Sequence, residues 1–198
     1  EILHPHSTRE ESLVLRYLQG RDTSVEEQAR LSVLAQWLDT PFYQQLRTEE
    51  QLGYIVNAGY SPMLEAPGIS LIVQSPDVDS STIAERMDAF MDDAKTRLNA
   101  LSDEELAAHR QAVHDRLNQR DTSLPSMANR YWQATALDDV RFDRREQIAE
   151  LALDVSVEEL QALWPVLLSH QLDIRFNPGD SPSDIATYRE ARTPFDTR

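Results

Sequence analysis

PFYQQLRTEEQLGYIVNAGY, residues 41–60, decides how the rest of the chain is read. The stretch reads as a helix, a glycine stop and a strand. Phe42 and Leu46 stand one turn apart and can face a core. Tyr43, Arg47, Glu50 and Tyr54 follow one another at spacings of four, three and four, on another side. Gly53 suits the left-handed position that closes a helix. Beyond it Tyr54, Val56, Ala58 and Tyr60 alternate with Ile55, Asn57 and Gly59, as in a strand. At a rise of about 1.5 Å per residue, Arg47 and Tyr54 fall roughly 10 Å apart along the axis. A planar fork of donors and a phenol on a stiff ring can then reach one ligand. On spacing alone the plainer reading holds: Arg47 beside Glu49 and Glu50 makes a solvated ion pair, and Tyr54 packs.

Working outward, Thr40-Pro41 interrupts a preceding helix over residues 25–39, whose core stripe is Leu31, Leu34 and Leu38 with Trp37 nearby. The expectation is a kinked pair of helices, the second capped by Asp39 or Thr40 and carrying Arg47. Upstream, SLVLRYLQ at residues 12–19 is apolar on both sides, which suits a strand inside a sheet. Thr23 or Ser24 caps the helix that follows. Downstream, strands over residues 54–60 and 69–75 pair antiparallel across SPMLEAPG, an irregular loop with two prolines and a glycine.

Helices dominate the remainder. Ile83, Met87, Phe90 or Met91, Ala94 and Leu98 repeat at helical spacing over residues 79–100, a stripe that reads as core. Ser102 with Glu105, and Ser156 with Glu159, form capping boxes. After a break at residues 121–125 a helix runs to about 137, anchored by Tyr131 and Trp132. Asp143 caps another that reaches 151, and a last one turns Leu160, Leu163, Trp164 and Leu167 inward with a kink at Pro165. Residues 171–177 alternate as a final strand. The chain divides into a lead-in at 1–11, one domain over 12–177 and a polar, proline-rich tail at 178–198. The fold class is α+β: a small, mostly antiparallel sheet packed on one face by several long helices.

Composition narrows the chemistry. The 198 residues are enough for one domain with a real core. A net charge of −15 argues against nucleic acid, which needs clustered Lys and Arg. No apolar run approaches membrane-spanning length, and no signal peptide is read; for an exported parent it would lie outside this stretch. Cysteine is absent, so thiol catalysis and disulfides are excluded. His4-Pro5-His6 belongs to the lead-in and has no fixed supporting shell. His109 and His114 are five apart and point in different directions, and Glu105, one turn from His109, is expected to hydrogen-bond it. Neither H-E-x-x-H nor H-x-x-E-H occurs, and no nucleophile or phosphate-cradling motif is present. No metal site is therefore read in this chain.

FYQQLRTEEQLGYIV resembles the L-R-T-x-E-Q-L-G-Y segment in the C-terminal half of the pitrilysin and insulin-degrading enzyme family, zinc peptidases of the inverted H-x-x-E-H type. A strand before it, GISLIVQSP after it and the Phe142-Asp143 pair among later helices extend the likeness over most of the chain. The resemblance implies the last of four related domains in a large zinc endopeptidase. Its partners are the N-terminal catalytic half of the same polypeptide and peptide substrates held in a closed chamber. It implies that Arg47 and Tyr54 hold the peptide, and that Tyr54 stabilises the oxyanion at a zinc carried by the N-terminal half. The domain alone would be inactive, and the periplasm follows by analogy. A peptidase dedicated to maturing one small peptide in cofactor biosynthesis, and a non-catalytic scaffold of the same fold, are the alternatives.

Overall fold

The computed structural model describes residues 10–63, 66–136 and 141–178. The ends of the lead-in and tail, with His4 and His6, lie outside them. Strand β1 (Ser12–Gln19) is followed by helix α1 (Val25–Tyr43), a π-helical segment (Gln44–Glu49), and strands β2 (Ile55–Ser61) and β3 (Gly68–Ser75). Helices α2 (Ser80–Ala100), α3 (Asp103–Leu117), α4 (Leu124–Ala136), α5 (Arg144–Asp154) and α6 (Val157–Ser169) precede strand β4 (Gln171–Phe176). The sheet runs β2-β3-β1-β4 and every pairing is antiparallel. β1 is thus an interior strand, as its two apolar sides require.

Alternation decides which side the helices cover. Val14 and Leu18 on β1, Ile69, Leu71 and Val73 on β3, and Val56 and Ala58 on β2 are buried and join the helical core. Leu15, Ile72 and Ile174 lie in register on the opposite side. Arg16 shares the buried side of β1 at 1% exposure. Its Nε and Nη2 donate to the two oxygens of Asp173 on β4 at 2.8 and 2.9 Å, and Nη1 sits 2.7 Å from Asp88 on α2. Burial would raise the Asp173 carboxyl, but Arg16 and Arg175 together outweigh it and hold it below the ordinary value. A strand position that reads as merely polar is a buried charge tying β1, β4 and α2 together.

Helix starts follow local chemistry. Ser102 and Ser156 each accept from the backbone N–H three residues on, and Glu105 and Glu159 reach back to complete both capping boxes. Asp79 caps α2 through the amides of Ser81 and Thr82. Ser24 caps α1, accepting from Glu27.

Several expectations give way. No break occurs at Thr40-Pro41: α1 runs through Pro41 to Tyr43, and the irregularity comes in the π-helical segment after it. The left-handed residue is Gln51, at φ 54°, and Gly53 is required for another reason given below. α5 extends to Asp154 with no side-chain cap bond from Asp143. Glu105 spends its carboxylate on Ser102, while His109 meets the backbone of Gln36. Burial pushes His109 down. His114 turns instead to Asp115, which pushes it up. Tyr131 and Trp132 are not buried as anchors: both are exposed.

Candidate functional site

The site grows from the end of α1. Phe42 and Leu46 are fully buried, and Phe42 meets Phe90 of α2 edge to face, centroids 5.0 Å apart. These contacts fix the chain on both sides of Tyr43. From Gln44 the turns widen: Glu50 N–H bonds the Gln45 carbonyl at 2.9 Å and Leu52 N–H the Leu46 carbonyl at 2.9 Å. Such π turns are uncommon and often sit at functional sites. They break the regular α spacing that would stack Tyr43, Arg47 and Glu50.

The carboxylates expected to occupy Arg47 are engaged elsewhere. Glu50 accepts Nε and Nη2 of Arg86 at 2.7 and 2.8 Å, and the Gln45 amide at 3.1 Å. The Arg86 bond holds its pKa below the usual range. Glu49 accepts from Gln44. Among the described residues no carboxylate lies within ion-pair reach of Arg47, which is half-buried beside the α2 anchor. Its five donors are available to a ligand.

Tyr54 is held by β3. Its N–H bonds the Gln74 carbonyl at 3.2 Å, and the two chains close so tightly at Gly53 that a Cβ there would meet that oxygen at 2.2 Å. Glycine is needed for this approach, since any side chain would force the strands apart. The phenol is 43% exposed and donates to Glu11 Oε2 at 2.8 Å, and the same oxygen accepts the Gln74 side-chain amide. Arg47 and Tyr54 therefore flank the short connection from the π-helical segment to β2. One is positioned through α2 and the other through the sheet.

Arg47 and Tyr54 read as candidates from the sequence; Glu11, Gln74 and Arg86, which the structure brings to their surroundings, do not. Glu11 falls in a stretch that reads as a lead-in, and Gln74 and Arg86 lie on other elements. No local pattern marks any of them. Among the described residues no three His, Cys, Asp or Glu side chains converge on a point that could hold a metal, so these side chains do not fit a zinc site. No described helix is long and apolar enough to cross a membrane.

Known proteins resemble this chain in sequence and in fold. The family model described as PQQ synthase PqqF-like, C-terminal lobe domain 4, matches residues 33–132. Protease 3 of Salmonella typhi is 36% identical over 117 residues, 59% of this chain and 12% of that protein. The crystal structure of pitrilysin superposes with a TM-score of 0.77 at 26% identity, covering 88% of this chain and 19% of the other. The periplasmic protease PqqL from Escherichia coli shares the fold at a TM-score of 0.62 and 17% identity, over 96% of this chain and 24% of that one. The chain spans 12% of the length of the Protease 3 relatives that it matches. It belongs to the PqqF-like C-terminal lobe domain 4 family, a C-terminal domain of the pitrilysin-type peptidases.

Proposed function

We propose that this domain holds the peptide in a zinc-dependent endopeptidase whose metal and general base lie on the N-terminal half of the same polypeptide. The observation that carries the reading is the unoccupied guanidinium of Arg47: both neighbouring carboxylates are drawn away, Glu50 by Arg86 and Glu49 by Gln44. A half-buried cation without a carboxylate suits a peptide carbonyl, which accepts a charge-assisted hydrogen bond. Tyr54 supplies a second donor, its backbone held against Gln74 through the close approach at Gly53. As the scissile carbonyl becomes tetrahedral its oxygen gains charge, and the Tyr54 hydroxyl turns its proton from Glu11 to that oxygen. The N-terminal half closes the chamber and the peptide lies between. Alone, the domain binds and does not cleave. PqqL is described as periplasmic, which favours the same compartment for the parent.

The alternative of a peptidase dedicated to one small peptide draws support from the description of the matching family, a PQQ synthase. Turnover of unrelated peptides by the full-length enzyme favours the general endopeptidase, and turnover of one peptide alone favours the dedicated form.

Tyr54→Phe in the full-length enzyme is expected to lower kcat on the order of 10²–10³, as loss of one oxyanion donor does. The thermal midpoint should stay put, since the exposed hydroxyl supports no core. Wild-type kcat would remove Tyr54 from the reaction. Arg47→Ala is expected to weaken peptide affinity by about 1.5–3 kcal/mol, the range for a hydrogen bond to a charged group. Equal binding in a direct titration would dismiss its role.

A further inference from the structure

α4 has no buried side chain among the described residues. Its sequence, LPSMANRYWQATA, places Leu124, Ala128, Tyr131 and Trp132 on one side, at helical spacing. No described side chain of α4 is buried; Arg130 and Ala134 are half-buried and the rest exposed. Leu124 is 75% exposed and Trp132 73%, against 7% for Trp37 and 2% for Trp164. Tyr131 stacks edge to face on Phe142, 5.6 Å away, and Arg130 lies 4.5 Å over the Tyr131 ring, so the exposed side chains form one ordered patch. A cleft of about 330 Å³, lined by Leu117, Arg120, Asp121, Met127, Arg130 and Arg145, separates the helix from the elements behind it. A helix of 13 residues gains most of its stability from burying an apolar face. This one buries none within the described domain.

We infer that the Leu124–Tyr131–Trp132 face of α4 docks on an apolar surface of a neighbouring domain in the same polypeptide. The size of the relatives names the occupant. The matching family is the fourth domain of a lobe, and this chain spans 12% of Protease 3 and 19% of the pitrilysin chain. Most of the polypeptide that could cover the patch is therefore sequence other than this. Clustered Leu, Met, Tyr, Trp and Phe side chains are the composition of an interface core, and a single domain rarely leaves such a cluster in water. The inference does not depend on Arg47 or Tyr54.

The test is oxidative footprinting of the full-length protein, read by mass spectrometry at Trp37, Trp132 and Trp164 together. Docking predicts that Trp132 reacts as slowly as the two buried tryptophans, in a species that light scattering shows to be monomeric. A photo-crosslinking residue in place of Leu124 should join peptides upstream of this chain. Fast oxidation of Trp132 in the full-length monomer overturns the proposal. So does protection that appears only with dimerisation, and so do crosslinks confined to residues 1–9, 137–140 or 179–198.

Discussion

α4 and α6 have the same length, 13 residues, and each carries one Trp, one Pro and an apolar stripe, aromatic in α4 and leucine-rich in α6. Their fates differ. α6 buries Val157, Leu160, Leu163, Trp164 and Leu167, and its Ser156–Glu159 capping box closes at 2.9 and 3.2 Å. α4 buries nothing described, and where α6 has Glu159 it has Ser126, whose N–H donates to Ser123 Oγ and whose hydroxyl donates to Asp121 instead of reaching back to the cap. Amphipathic periodicity thus reports that a helix has a side to bury. It does not report which body does the burying. In α6 that body is this domain; in α4 it is argued above to be another.

The largest effect that could break this comparison is a pair of tryptophan truncations. Trp164→Ala in the 198-residue chain should cost about 3–5 kcal/mol, as large-to-small changes in a packed core do. Trp132→Ala in the same chain should stay within about 0.5 kcal/mol, like other surface changes. Chemical denaturation of the two variants checks both. Comparable losses would mean that α4 belongs to the core after all.

Much of the fold was legible in the sequence. β1 declared itself interior through two apolar sides, and both capping boxes stand where Ser and Glu are three apart. Phe42 and Leu46 face the core at their one-turn spacing. Arg47 and Tyr54 could be picked out, but what positions them could not. Arg86 reaches Glu50 from 36 residues away and Glu11 reaches Tyr54 across 43. Such partners meet only when the sheet and α2 are assembled. The π-helical turns left no trace either, because widening a helix by one residue per turn carries no fixed residue signature, and Pro41 drew the break to the wrong place. Tyr131 and Trp132 read as anchors because aromatic residues on a helix stripe usually are, yet both are exposed in this domain.

A smaller effect sharpens the contrast through pH. Glu159 bridges α6 to Arg30 of α1 at 2.9 Å while completing its own cap. Burial alone would raise its carboxyl, but the Ser156 amide and Arg30 outweigh that and hold it below its ordinary value of 4.5. A carboxylate depressed in the folded state contributes stability that is fully present above the unfolded value. That contribution is lost as pH falls through the folded one. Glu159→Gln should therefore flatten the acid limb of the global unfolding curve below about pH 4.5. Asp121 is also depressed, chiefly by its bond from Arg130 at 2.9 Å, with Arg145 farther off at 3.8 Å. Its main partner lies on α4, whose opening costs the core little, so protonating it shifts a local equilibrium and leaves global unfolding nearly untouched. Asp121→Asn should thus leave the acid limb in place while amide exchange in α4 speeds up. If the two variants flatten the limb equally, α4 is coupled to the core as tightly as α6, and the distinction between the helices fails.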